Sequence, residues 1–128
     1  MNKNFMYIVS DHNQDYSLEA DWPKPAKNGD TSTWRIRHGQ ETAKPGDWIW
    51  VYHTRPHQAI RAVGRVNKRP YKAGEDWVVE ILWDGELSMK LLNNPIPRRD
   101  IETQNVRASL MSVNIETQKV IDSWKNSV

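Results

Sequence analysis

Three aromatic side chains lie two residues apart in the segment DWIWVYHTRP, and a histidine, a threonine and an arginine follow them. Alternate residues of a β-strand share one face, so Trp48, Trp50 and Tyr52 are predicted to lie together, with His53 on the opposite face. Tryptophan offers a large flat ring and one N–H donor, which suits a core and a stacking site equally. We expect Trp48 and Trp50 to belong to the wall and the core of a small barrel. Tyr52 is expected to reach a ligand from the end of the strand.

Polar groups near this strand could bind the polar edge of a flat ligand. A neutral imidazole at His53, with the hydroxyl of Thr54, can donate to or accept from such an edge. Trp22 lies in a polar, proline-broken segment and is a candidate lid over a pocket. No metal site is expected, because the four histidines lack the usual ligand spacing and the chain has no cysteine.

Arginines are candidates for contacts to phosphate groups at the rim of such a site. The formal net charge of +2, from 18 basic and 16 acidic residues, is too close to balance to indicate nucleic-acid binding by itself. Their distribution along the chain is therefore the better guide. The candidates are Arg35, Arg37, Arg55, Arg98 and Arg99.

The length of 128 residues suits one domain, which we take as residues 1–128. There is no apolar run near the ~20 residues that cross a bilayer, and the N-terminus is too short and polar for a signal peptide. We therefore expect a cytoplasmic protein with no membrane contact. The absence of cysteine excludes disulfides and a cysteine nucleophile.

The elements that must position these residues are mostly strands. Alternating or continuous apolar residues predict strands at 5–9, 33–39, 47–53, 59–66 and 77–83. Asp84 and Gly85 suggest a hairpin turn leading to an irregular strand that ends at prolines near residue 97. Beyond it, Asp100 is a candidate cap for a helix carrying Ile101, Val106 and Leu110. A second helical stretch begins at 114 or 115.

Short turns between consecutive strands favour antiparallel pairing. The predicted fold class is α+β. It comprises a small β-barrel of about five to six mostly antiparallel strands over residues 5–97, with flanking helices and a C-terminal helical segment over residues 100–126.

The segments TWRIR, GDWIWVYHT and AIRAVGRV, in this order and spacing, resemble the EVE domain, a member of the PUA-like superfamily that includes YTH domains and is related to ASCH domains. The resemblance covers residues 5–97. It implies a PUA-like barrel whose concave pocket receives a flipped, chemically modified base against aromatic walls. It further implies that Trp34 is a pocket wall and that Ser10 and Asp11, which end the first strand, are polar pocket residues. The predicted ligand-binding set is Ser10, Asp11, Trp22, Trp34, Tyr52, His53 and Thr54.

The leading hypothesis is a non-enzymatic module, without cofactor, that recognises a methylated or otherwise substituted base in DNA or RNA. Association with a nuclease or restriction system is a further expectation. The first alternative is an ASCH-like hydrolase acting on a modified nucleoside or RNA, with His53, Asp11 or Glu80 as acid–base candidates. The second alternative is a small-molecule or protein-interaction module that uses the same pocket.

Overall fold

The structure, a computed structural model, describes residues 2–9, 29–37, 42–106 and 110–128. Its strands are β1 (Asn4–Val9), β2 (Thr31–Ile36), β3 (Trp48–His53), β4 (Ala59–Ala73), β5 (Asp76–Trp83), β6 (Ile96–Pro97) and β7 (Leu110–Ser112). Its helices are α1 (Gly85–Asn93), a 3₁₀ helix (Arg98–Ile101) and α2 (Ile115–Ser127). No helix in these ranges has both the length and the apolar character that crossing a membrane takes.

The strands form one sheet in the order β2-β5-β4-β3-β1-β7, and β6 pairs with β4. Pairing is antiparallel except between β1 and β3. Tyr7 of β1 nevertheless contacts Trp34 of β2, although three strands separate them in this order. The sheet therefore curls on itself, and the predicted α+β architecture of a small PUA-like barrel is confirmed.

Each face of the curled sheet carries its own buried cluster. The inner core lies on the concave side and comprises Phe5, Tyr7, Val9, Trp34, Ile36, Ala43, Ile49, Val51, Ala62, Val66, Val79, Ile81, Trp83 and Leu110. The outer core lies between the sheet and the helices and comprises Met6, Trp50, Tyr52, Ile60, Val63, Leu91, Ile96, Ile101, Ile121 and Trp124. Strands between two apolar layers read as continuous hydrophobic runs, which explains the sequence of β1 and β3.

The Gly-Asp pair before β3 has a clear structural role. Gly46 adopts a φ of +91°, a backbone conformation that glycine tolerates best. The buried Asp47 carboxylate accepts hydrogen bonds from the backbone N–H groups of Lys3 and Lys44, both at 2.9 Å. This residue therefore ties the start of β1 to the turn that enters β3.

The predicted hairpin at Asp84 and Gly85 is wrong. Asp84 caps α1, and its carboxylate accepts a hydrogen bond from the backbone N–H of Leu87 at 3.0 Å. The irregular strand predicted for the following residues is α1, whose buried positions are Gly85, Ser88 and Leu91. The spacing of three residues places them on one side of the helix.

The helix predicted to begin at Asp100 is also wrong. Ile101 lies in the outer core and Leu110 in the inner core, so one helix cannot present both to the protein. The chain instead ends its 3₁₀ helix at Ile101 and forms β7 beside β1. The second predicted helix is confirmed as α2, with the side chain of Asn114 accepting from the Thr117 N–H at 2.8 Å.

Candidate functional site

Trp34 lies in the inner core and is held by two other aromatic rings. The alternation of β2 turns Trp34 and Ile36 inward and leaves Arg35 exposed. The ring centroid of Trp34 is 4.8 Å from that of Tyr7 and 5.2 Å from that of Trp83. Such tilted and edge-on contacts fix a ring in one orientation. Trp34 is 7% exposed.

Hydrogen bonds hold the two rings that flank Trp34. The hydroxyl of Tyr7 donates to the backbone carbonyl of Arg35, which joins β1 to β2 across the opening of the curled sheet. The indole N–H of Trp83 donates to the hydroxyl of Ser32 at 2.8 Å. Tyr7 and Trp83 were not among the predicted site residues. Strand alternation alone could not assign Tyr7 to this face, because β1 is apolar on both faces and meets β2 only through the curling of the sheet.

His53 and Thr54 lie where the parallel strands β1 and β3 end. His53 is opposite Val9 in the register and faces the concave side, 3% exposed, with its ring 5.9 Å from that of His57. The backbone N–H of Thr54 donates to the carbonyl of Val9 at 2.9 Å. Ser10, Asp11 and Trp22, which complete the predicted ligand-binding set, lie outside the described residues.

Tyr52 lies on the opposite face of the sheet from Trp34. It belongs to the outer core with Trp50 and is 3% exposed. Burial raises the pKa of the Tyr52 hydroxyl, and the Arg98 guanidinium lowers it by a smaller amount. The expectation that Tyr52 and Trp34 share one pocket is wrong, because the outer core gives the aromatic row of β3 a second apolar layer to pack against.

The same row contacts α2. The indole N–H of Trp50 donates to the side-chain carbonyl of Asn4 at 2.7 Å, and the Trp50 ring packs edge-on against Trp124 at 5.9 Å. Trp48 is partly buried, with the Arg65 guanidinium 3.9 Å and the Lys125 ammonium 4.8 Å from its ring centroid. These contacts anchor the C-terminal helix to the outside of the barrel.

The predicted phosphate-contacting arginines divide into two groups. Four of them are exposed, namely Arg35, Arg37, Arg55 and Arg99. Arg98 is partly buried, and its guanidinium donates to the carbonyls of Ile101 at 2.6 Å and Gln104 at 3.0 Å. This side chain therefore holds the segment that follows the 3₁₀ helix.

Two of the three acid–base candidates of the hydrolase alternative, His53 and Glu80, lie on opposite faces of the sheet. His53 faces the concave side, whereas Glu80 lies on the outer face of β5, between two inner-core residues. The Glu80 carboxylate accepts from the Asn67 side chain at 2.8 Å and lies 4.0 Å from the Lys68 ammonium. Asp11 lies outside the described ranges. Within those ranges, no three His, Asp or Glu side chains are grouped as metal ligands.

A second concavity lies on the outer side, between α2 and the segment that follows α1. It has a volume of about 770 Å³. Ile96, Val120 and Trp124 supply apolar surface, and Arg99 and Lys119 supply positive charge. It is separated by the sheet from the inner-core face that carries Trp34.

Comparison with solved structures identifies the fold. No protein-family model matches the chain, and no curated protein matches its sequence. Three matching structures each share 14% sequence identity with the chain. Rpa0253 from Rhodopseudomonas palustris has a TM-score of 0.66 over 98% of this chain and 94% of its own. Human THYN1, in complex with DNA containing 5-methylcytosine, has a TM-score of 0.60 over 95% and 96%. An ASCH protein from Zymomonas mobilis has a TM-score of 0.54 over 94% and 94%.

The chain therefore has the PUA-like fold common to the EVE and ASCH groups, as the resemblance of its β2, β3 and β4 segments implied. Among these structures, THYN1 is the one solved with a nucleic acid that carries a modified base.

Proposed function

We propose that the protein is a non-enzymatic module that binds nucleic acid and takes a modified base against Trp34. The observation that carries the proposal is the shared fold with human THYN1 over 95% of the chain, because the THYN1 structure is a complex with 5-methylcytosine DNA. The aromatic ring of Trp34 on the concave side supports the same proposal.

The energetics favour a held aromatic ring at such a site. Moving a base out of its stack costs a few kcal/mol, which contacts within the pocket must offset. Stacking on an aromatic side chain contributes about 1–3 kcal/mol per base. Because Tyr7 and Trp83 already fix the Trp34 ring, little side-chain freedom is lost when a base binds to it.

The exposed arginines support nucleic acid as the partner, whether DNA or RNA. Arg35 lies next to Trp34 on β2 but on the opposite face, so one short strand can present a ring to a base and a cation to a phosphate. A module that only binds needs a second protein to act on what it has recognised. Association with a nuclease therefore belongs to the same proposal.

The two described acid–base candidates, His53 and Glu80, do not support hydrolysis as a pair. General acid–base catalysis needs its two groups within reach of one substrate. His53 and Glu80 lie on opposite faces of the sheet, so these two candidates do not meet that condition.

The test compares two tryptophans of equal burial on opposite faces. Trp34 and Trp124 are each 7% exposed, and Trp124 lies in the outer core. Trp34→Phe and Trp124→Phe are measured by fluorescence anisotropy against oligonucleotides of one sequence carrying cytosine or 5-methylcytosine. Trp34→Phe is expected to reduce the preference for the modified strand by about fivefold, since the smaller phenylalanine ring covers less of the modified base and about 1 kcal/mol of lost contact corresponds to that ratio.

The matched variant Trp124→Phe is expected to keep the preference of the natural protein. An equal loss of affinity for both oligonucleotides in Trp34→Phe would contradict the proposal. So would a preference reduced as much by Trp124→Phe, because that would trace the effect to general instability.

A further inference from the structure

The outer faces of β2, β5 and the later part of β4 carry side chains that belong to neither core. Trp34 and Val79 point inward and are paired in the register, so their neighbours Arg35 and Val78 point outward. Val78 is also paired with Tyr71 of β4. Arg35, Val78 and Tyr71 thus form one row across three strands.

Two parallel rows follow on the same face. The first contains Thr33, Glu80 and Lys68, and the second contains Thr31, Leu82 and Arg65. Rows two residues apart along a strand are separated by roughly 7 Å. We call the surface formed by these three rows the sheet platform.

The row of Tyr71 combines an exposed ring with a cation. Tyr71 is 39% exposed, and Val78 between Tyr71 and Arg35 is only 6% exposed. Directly paired residues have Cβ atoms about 5 Å apart, so the long side chains of Arg35 and Tyr71 can reach across the small valine. The row therefore presents a flat aromatic surface beside a guanidinium group.

Positive charge runs along the sheet platform. Two rows contain an exposed cation, Arg35 or Lys68, and the exposed Arg37 follows directly after β2. Arg65, in the third row, is partly buried and stacks on Trp48. The acidic groups are Glu80, held by Asn67 and near Lys68, and Asp76 at the start of β5. Cations spaced along a strand beside an exposed ring complement a chain of phosphates with accessible bases.

We propose that the sheet platform binds an unpaired segment of nucleic acid, with a base stacked on Tyr71 and phosphates against Arg35 and Lys68. The occupant is single-stranded because a duplex hides the base faces that an aromatic ring stacks on. The inference rests on the proposed function only in taking nucleic acid as the partner. It requires no modified base, and it adds a contact on the face opposite Trp34.

The test uses Tyr71→Ala and Tyr71→Phe, with Met89→Ala as control because Met89 on α1 is 43% exposed. Binding is measured to unmodified single-stranded DNA, single-stranded RNA and duplex DNA of one sequence. Tyr71→Ala is expected to weaken single-strand binding about 5- to 150-fold, the equivalent of one lost stacked base. Tyr71→Phe and Met89→Ala are expected to bind within about twofold of the natural protein, because the phenylalanine keeps the ring.

Lys68→Ala tests the phosphate interaction separately, because Arg35 is also assigned to the phosphate contact beside Trp34. Removing one cation–phosphate interaction on a single strand lowers the slope of log affinity against log salt by about 0.7, and one such step is expected. If Tyr71→Ala binds single strands as tightly as the natural protein, or if it loses equal affinity for duplex and single strand, the proposal that the sheet platform binds single strands is overturned.

The preference for a modified base separates this inference from the proposed function. The preference should be unchanged in Tyr71→Ala if Trp34 alone reads the modification. If Tyr71→Ala binds single strands normally while Trp34→Phe loses its preference, the platform fails and the proposed function stands. If the natural protein binds no nucleic acid at low salt, both fail.

Discussion

Arg98 and Arg99 are adjacent cations with the same chemistry and different surroundings, so replacing each with alanine should affect the stability of the fold differently. The Arg98 guanidinium donates to the carbonyls of Ile101 and Gln104. The Arg99 side chain is 83% exposed and lies 4.0 Å from the Asp100 carboxylate. We expect Arg98→Ala to destabilise the fold and Arg99→Ala to leave it intact.

The magnitude follows from the two hydrogen bonds that the substitution removes. A hydrogen bond to a charged group contributes about 1.5–3 kcal/mol, and the partly buried position of Arg98 lets water replace part of that. Two such bonds give an expected loss of about 2–4 kcal/mol in the free energy of unfolding. For a chain of this size the midpoint of thermal unfolding should fall by roughly 6–20 °C. Arg99→Ala should stay within about 0.5 kcal/mol of the natural protein.

Thermal and urea unfolding followed by circular dichroism measure both variants, and Arg98→Lys adds a graded control. Lysine keeps the charge but lacks the planar fork, so it should recover only part of the stability. If Arg98→Ala is as stable as the natural protein, or if Arg98→Ala and Arg99→Ala lose equal stability, the inference that Arg98 stabilises the fold is refuted.

Three further predictions concern stability. Gly64→Ala should cost about 3 kcal/mol in urea unfolding, because the added Cβ would lie 2.6 Å from Ile81 Cγ2 and 2.7 Å from the Leu82 carbonyl oxygen. Thr117→Val should stabilise by about 1 kcal/mol in the same assay, since the buried Thr117 hydroxyl lacks a hydrogen-bond partner among the described residues. Burial raises the pKa of Tyr52, so its contribution to stability is complete below the ordinary value of 10.0 and is lost as the pH rises through the folded-state pKa. Tyr52→Phe should therefore weaken the alkaline decline of unfolding temperature.

Each of these predictions has a contrary result. If Gly64→Ala is as stable as the natural protein, β4 and β5 are far enough apart at Gly64 to accommodate a Cβ atom. A loss of stability in Thr117→Val would indicate that the hydroxyl is bonded. An alkaline decline in Tyr52→Phe as steep as that of the natural protein would remove Tyr52 as its source.

The faces of the strands could be predicted from the sequence, but not which face is the inside. Alternation separated Trp50 from Val51 in β3 and Trp34 from Arg35 in β2. Both faces of β3 are apolar, and only the docking of α2 against Trp50 makes its aromatic face the outer one. That docking joins residues that are distant in the sequence, which no local pattern reports.

Polar residues in buried positions explain why the sequence did not predict α1 or the turn of the chain toward β7. Ser88 interrupts the apolar spacing of α1, yet it is buried because its hydroxyl exchanges hydrogen bonds with the backbone N–H and carbonyl of Val63, both at 3.0 Å. Gln104 is buried because its side-chain carbonyl accepts from the Asn114 N–H at 2.7 Å. These partners are distant in sequence, so the pattern indicated a strand where α1 lies and a helix where the chain turns toward β7.

The candidate site was predictable in part. Trp34 came from the resemblance of TWRIR to the EVE domain, and the structure assigns it to the concave side. The contact from Tyr7 arises from the curling of the sheet, which brings β1 to the non-neighbouring β2, whereas Trp83 lies on the neighbouring strand β5. The ligand-binding roles of Ser10, Asp11, Trp22, His53 and Thr54 stay predictions.

The measurement that tests the central proposal most directly is the affinity of the natural protein for oligonucleotides that differ in one base. A panel of one sequence, carrying cytosine, 5-methylcytosine and other methylated or substituted bases in DNA and RNA, is titrated at fixed salt. We predict that at least one modified base binds roughly 10- to 200-fold more tightly than its unmodified counterpart, the range that one added methyl group supplies in an apolar pocket. Affinities that agree within about twofold across the panel would contradict the proposal.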